Sequence, residues 1–190
     1  VAFARALWLA RAAGDAGAAF ERGQENYRMT IKVGDTLPEA AFVVMGAEGP
    51  APMTTAEVFG GKTVALFAVP GAYTPTCSLK HVPSYVNNAD ALRAKGVDAI
   101  VCVSVNDPFV LKAWGESTGA TGAGIAMLAD ADASFTKAIG LDFTAAGVGL
   151  ISRSQRYAMV VKDGIVSALN VEGSPGEATT STGEVILDLL

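Results

Sequence analysis

Thiol and imidazole groups are scarce in this chain: two cysteines, Cys77 and Cys102, and a single histidine, His81, among 190 residues. Cys77 stands in PGAYTPTCSLKHVP, residues 70–83, together with three prolines, the hydroxyls of Thr74, Thr76 and Ser78, and His81. This polar stretch directly follows the apolar run TVALFAV. Thr74-Pro75 reads as a helix start, with Thr74 as N-cap and Pro75 at the first helical position. Cys77 then falls in the first turn, where free N–H groups and the helix dipole favour an anion. The chemistry this suggests is that of a nucleophilic thiolate. SLKHVPSYVNNADAL supplies the helix body, which Pro83 is expected to kink or break.

The neighbours narrow the chemistry. No second cysteine stands in Cys-x-x-Cys spacing, which weighs against a dithiol exchange pair. His81 follows Cys77 by four residues and shares its helical face. A Cys–His protease draws its base from a distant segment and orients it with a third group. His81 therefore reads as a packed or hydrogen-bonded helix residue. Two cysteines and one histidine also make a poor zinc set, since structural sites need four ligands.

Composition bounds the rest. With 51% hydrophobic and 17% charged residues the chain is globular, and its length suits one domain with an extra segment. A net charge of −5 argues against nucleic-acid binding, which needs clustered Lys and Arg. Two cysteines do not make a disulfide scaffold, so a reducing cytoplasmic setting is the default. No apolar run approaches the roughly 20 residues of a membrane span. Residues 1–28 have apolar residues at roughly helical spacing, interrupted by Arg5 and Arg11. They read as an upstream extension or leader, organellar targeting included, with Met29 opening a domain of residues 29–190.

Within that domain short apolar runs alternate with helical stretches. DTLPEAAFVVM reads as a strand and TTAEVFGG as a small helix. TVALFAV (63–69), VDAIVCVSV (97–105) and IAMLAD (125–130) read as buried strands. Asp107-Pro108 opens a helix through FVLKAWGES, and SFTKAIG forms a shorter one stopped by Gly140. RYAMVVKDGIVSALNVE places Asp163-Gly164 between two alternating runs, a hairpin signal. STGEVILDLL closes the domain as a helix capped by Ser181 or Thr182. This order gives an α/β fold of thioredoxin-like layout, a central mixed sheet with helices on both faces. In such sheets functional residues lie where strands end and helices begin, which is where Cys77 stands.

Pro70-Gly-Ala-Tyr-Thr74-Pro-Thr-Cys77 contains the Pro-x-x-x-Thr-x-x-Cys pattern of the peroxiredoxins, and the longer PGAYTPTCSLKHVP resembles their type II, peroxiredoxin-5-like, subgroup. The resemblance extends through VDAIVCVSVNDPFVLKAW, MLADADASFTKAIGL and RSQRYAMVVKDGIVSALNVE, and covers roughly residues 29–190. It implies a thiol peroxidase in which Cys77 attacks the peroxide and becomes a sulfenic acid. It further implies that Thr74 offers a hydroxyl to the peroxide, that Pro70 shields the pocket from water, and that Gly71 lies at the bound peroxide. The family's arginine directly precedes the aromatic that opens the last hairpin, which selects Arg156, before Tyr157, with Arg153 in reserve. A guanidinium there can hydrogen-bond the peroxide oxygens and the thiolate together.

Relatives that carry a resolving cysteine after the segment matching LNVE differ from this chain, which reads LNVEGSPGEATTSTGEV there. Cys102, in mid-strand, matches a cysteine of plant-type relatives and is a resolving candidate, although a thiol flanked by Val and Ile is usually inert core. The resemblance thus implies one-cysteine turnover with glutathione, glutaredoxin or thioredoxin as the external thiol. Homodimerisation, with WGES and PGAYTP at the surface used, is also implied; no metal, flavin or haem is called for. The competing readings are a peroxide-sensing signalling protein using the same thiol, a silent interaction module, and a thiol reductase or chaperone without peroxide preference.

Overall fold

The computed structural model describes residues 29–190; the reading of residues 1–28 as a leader or extension lies outside the described residues. At the centre is β3 (Thr63–Val69), flanked by β4 (Ala99–Ser104) in parallel and by β8 (Tyr157–Lys162) in antiparallel. With β1 (Ala41–Gly46), β2 (Gly49–Thr54), β5 (Ile125–Ala129) and β9 (Ile165–Val171) they form a seven-stranded mixed sheet ordered β2-β1-β5-β4-β3-β8-β9. A separate two-stranded ribbon joins β6 (Asp142–Ala145) to β7 (Leu150–Ser154).

Alternation along β3 divides the core. Ala65, Phe67 and Val69 face α2 (Val82–Ala94), α3 (Pro108–Ser117) and α5 (Gly183–Asp188), in a cluster that includes Cys77, Tyr85, Cys102, Trp114 and Ile186. Val64, Leu66 and Ala68 face α1 (Thr55–Phe59) and α4 (Ser134–Ala138), packing with Phe59, Phe135, Tyr157 and Met159. Both faces being covered is why TVALFAV is a continuous apolar run rather than an alternating one. Phe67 stacks on Tyr85 with ring centroids 3.9 Å apart, fixing α2 to the sheet.

Local signals account for most element ends. Thr54 and Glu57 form a capping box on α1, and Asp107 accepts from the N–H groups of Phe109 and Val110 at the start of α3. Asp163 and Gly164 both take positive φ, 49° and 75°, in the two-residue turn between β8 and β9.

Three expectations need correction, and one strand is new. Of DTLPEAAFVVM only residues from Ala41 onward belong to a strand, with Thr36 making an isolated bridge to Ile165. β2, GPAPMT, has no counterpart among the sequence expectations; its Pro50 and Pro52 are tolerated at the sheet edge, where prolines need not donate. Thr182 occupies the cap position of α5, but its hydroxyl caps nothing; the Gly183 N–H is instead taken by Ser84 Oγ at 2.9 Å.

The third concerns Pro83: of the kink or break expected there, the helix shows no break. Helical backbone runs from residue 75 to 94, and residues Cys77–His81 form a π-turn in which Val82 N–H reaches back to the Cys77 carbonyl. One wider turn immediately before the proline relieves the clash its ring would make with the preceding turn.

Candidate active site

Register brings the site together. Because β3 and β8 are antiparallel with Ala68 opposite Tyr157, the end of β3 lies beside the residue that precedes Tyr157, which is Arg156. Beyond Val69 the chain turns through Pro70 and Gly71, both buried, into the helix that carries Cys77. Cys77 is fully buried and Arg156 is 1% exposed. Arg156 Nη2 donates to Cys77 Sγ at 3.3 Å and to the Pro175 carbonyl at 2.8 Å. The buried guanidinium and the first turn of the helix thus lie together at the Cys77 sulfur.

Thr74 stands at the N-cap position and its carbonyl accepts from Ser78 N–H, but the hydroxyl does not cap. Thr74 Oγ1 donates to the Gly71 carbonyl at 2.9 Å, so its proton is engaged and its lone pairs face outward from that bond. Asn106, past the end of β4, braces the same loop: its Oδ1 accepts from Ala72 N–H at 3.0 Å and from Ser104 Oγ at 2.7 Å. Tyr73, at φ 62°, is the strained residue of the turn and is exposed. Trp114, buried in α3, donates from Nε1 to Ser78 Oγ, the residue after Cys77, at 3.0 Å.

Arg153 does not reach the sulfur by any bond of this kind. Its Nη1 donates to the Val105 carbonyl at 2.9 Å and stands against Gly71, where an added Cβ would lie 3.2 Å away. Of the two arginines, Arg156 meets Cys77 and Arg153 supports the loop.

His81 has more neighbours than its sequence reading supplied. It is fully buried, with Nδ1 3.0 Å from Arg156 Nη1 and Nε2 2.9 Å from the Ser181 carbonyl. A guanidinium can only donate and a carbonyl can only accept, so the ring is neutral with its proton on Nε2. Burial first, then the positive charge of Arg156, lowers the His81 pKa from its ordinary 6.5 to about 3. Glu172, the residue after β9, completes this set. Its carboxylate takes the N–H groups of Thr179, Thr180 and Ser181 and the hydroxyls of Thr179 and Ser181. Burial raises its pKa, but these hydrogen bonds, Ser181 Oγ foremost, outweigh it and bring the value to about 2. Sequence reasoning missed Glu172 and Ser181; the signal was an acidic residue ending a hairpin strand before a Ser/Thr-rich loop.

Cys102 is fully buried opposite Phe67 in the parallel β3–β4 register, and neither cysteine is in a disulfide. Burial, with Cys77 nearby, pushes the Cys102 thiol up, so it stays protonated. Among the described residues no group of three or more His, Cys, Asp and Glu is placed to hold a metal ion, and no helix is long and apolar enough to cross a membrane.

Comparison with known proteins places this geometry. The Redoxin family model matches residues 32–186. Peroxiredoxin-2E-2 of Oryza sativa subsp. japonica, a chloroplastic protein, is 47% identical over 165 residues, 85% of this chain and 73% of the relative. Peroxiredoxin-2B of Arabidopsis thaliana is 43% identical over 163 residues, covering 84% of this chain and 98% of its own. Reduced Prx3 of Vibrio vulnificus, solved in complex with hydrogen peroxide, superposes with a TM-score of 0.79 at 53% identity, over 84% of this chain and 98% of that one. The seven-stranded mixed sheet, the Thr74–Cys77 helix start, the Arg156 contact and these likenesses converge: the chain belongs to the peroxiredoxins, the thiol-dependent peroxidases of the Redoxin family, and within them to the type II, peroxiredoxin-5-like, subgroup.

Proposed function

We propose that this protein reduces hydrogen peroxide and alkyl hydroperoxides at Cys77 and is reset by an external thiol. The observation that carries the reading is the buried Arg156 guanidinium 3.3 Å from the Cys77 sulfur, at the start of a helix. The Cys77 thiolate attacks one peroxide oxygen, an S–O bond forms as the O–O bond breaks, and the second oxygen leaves as hydroxide or alkoxide and takes up a proton. Arg156 stabilises the sulfur and the charge that grows along the breaking bond. Thr74 Oγ1, its own proton held by Gly71, accepts the peroxide O–H, while Gly71 and Pro70 line the approach and keep water from the sulfur.

The resulting sulfenic acid condenses with a thiol to a mixed disulfide and water, and a second thiol displaces the first, releasing Cys77. Glutathione with glutaredoxin, or thioredoxin, supplies these thiols. Cys102 takes no part: its thiol is fully buried and its proton is firmly held.

Residues 29–190 form the catalytic domain, the setting is cytoplasmic, and the active form is a homodimer. Support for the dimer comes from three exposed apolar side chains, Tyr73, Leu79 and Phe109, on segments that the Ala72–Asn106 and Trp114–Ser78 bonds tie together around the site. The WGES contribution shrinks to Glu116 and Ser117, since Trp114 and Gly115 are buried.

Rapid mixing of the reduced protein with hydrogen peroxide and an alkyl hydroperoxide, followed by steady-state turnover with each thiol donor, tests the reading. Single oxidation of Cys77 without turnover by any donor would favour a peroxide sensor over an enzyme. Full peroxide consumption by Cys77→Ser would overturn the assignment.

A further inference from the structure

Glu172 is buried at 8% exposure, and what its carboxylate gathers is mostly main chain. Thr179 N–H lies at 2.7 Å, Thr180 N–H and Ser181 N–H at 2.9 Å, and Ser181 Oγ at 2.7 Å, all on one carboxylate oxygen; Thr179 Oγ1 donates to the other at 3.0 Å. These bonds close the segment after β9 into a hook. Its last residue, Ser181, presents its carbonyl to His81 Nε2 at 2.9 Å and to Tyr85 Oη at 2.8 Å.

The hook has a consequence across the imidazole. An acceptor fixed at Nε2 keeps the His81 proton there and leaves Nδ1 bare. A bare Nδ1 is what Arg156 Nη1 requires at 3.0 Å. With the proton on Nδ1 instead, donor would face donor, and the guanidinium would have to leave the position from which Nη2 meets Cys77 Sγ.

We propose that Glu172 is a positioning residue for the peroxide-reducing step, acting through Ser181 and His81 to hold Arg156 on Cys77; the inference rests on the reading of Cys77 as the peroxidatic thiol. Glu172 touches neither sulfur nor peroxide. It sets where the guanidinium stands, and its contribution therefore vanishes when the guanidinium is gone.

The test is a double-mutant cycle on the rate of Cys77 oxidation by hydrogen peroxide, measured by rapid mixing on full-length protein. Glu172→Ala should slow oxidation by about tenfold or more, because small displacements of a catalytic group are costly. In an Arg156→Ala background the same change should have almost no further effect. Glu172→Gln should recover the rate to within about threefold, since the amide oxygen can accept the clustered donors and the amide N–H2 can donate to Thr179 Oγ1. An equal slowing in both backgrounds, or none in either, would overturn the inference.

Where Glu172→Ala does not fold, Ser181→Ala leaves the backbone bonds in place and should give a smaller slowing with the same dependence on Arg156. Equal slowing by Ser181→Ala with and without Arg156 would sink the proposal as surely. Wild-type protein inert to peroxide would remove the peroxidase reading itself, an outcome distinct from a reactive wild type that Glu172 substitutions leave unchanged.

Discussion

Arg156 Nη1 and His81 Nδ1 lie 3.0 Å apart although 75 residues separate them in the chain. Burial first and then the guanidinium charge keep the imidazole neutral, and the imidazole in turn offers the guanidinium a ring acceptor. Because His81 is the chain's single histidine, its ring can be followed by NMR without assignment ambiguity. The ring should show the Nε2–H tautomer and no titration between pH 5 and 8, since its pKa is lowered to about 3. A ring that titrates near its ordinary 6.5 would contradict the geometry.

Acid should destabilise the fold through the same residues. Between pH 6.5 and about 3 the unfolded chain protonates His81 while the folded chain does not. Between 4.5 and about 2 the unfolded carboxyl of Glu172 protonates while the folded one stays charged. In both windows the unfolded state binds more protons, so stability rises with pH and is lost on acidification. Within the His81 window the slope approaches about 1.4 kcal/mol per pH unit. Urea unfolding at pH 4 to 7 should show it, and His81→Asn should flatten the upper part.

Removal of the guanidinium should strike the rate and spare the architecture. Arg156→Ala is expected to reduce the second-order rate of Cys77 oxidation by roughly 10²–10³, the scale of losing one aimed donor. Far-ultraviolet circular dichroism should be unchanged. A rate within a few-fold of wild type would place the stabilising charge elsewhere.

Cys102→Ala should cost about 1 kcal/mol of stability, as a modest core truncation does, and leave turnover with external thiols intact. Loss of turnover with every thiol donor, with the first oxidation step preserved, would make Cys102 the resolving thiol after all.

Gly183→Ala reports on the packing of α5 against α2. A Cβ at Gly183 would lie 2.5 Å from the Ser84 carbonyl oxygen and 2.9 Å from its carbon, both backbone atoms that cannot step aside. The expected cost is about 2 kcal/mol, read from urea midpoints; an unchanged midpoint would show that α5 shifts freely.

What could be read from the sequence was what neighbouring residues decide. TVALFAV is β3 to the residue, Asp107 caps α3 as its Asp-Pro signal predicts, and Asp163-Gly164 makes the β8–β9 turn. Cys77 and Thr74 stand in a short motif, so their shared loop was legible too. The π-turn at Cys77–His81 was not, because Pro83 declares an obstacle without saying how the chain absorbs it. Nor was the frame behind Arg156. His81 meets Ser181 across 100 residues, and no local pattern records which distant carbonyl an imidazole will find.

The segment from Glu172 onward touches the Cys77 helix along its length. Gly176 takes the Thr76 hydroxyl, Ser181 takes His81 and Tyr85, Gly183 meets Ser84, Glu184 takes Asn88, and Leu187 takes Lys95. During synthesis the helix, the thiol and Arg156 all emerge before this segment does. A chain stalled or clipped ahead of Glu172 therefore carries the nucleophile without the frame that arms it. On the reading of Cys77 as the peroxidatic thiol, such a shortened chain should react with peroxide more slowly than the full fold, which rapid mixing would show.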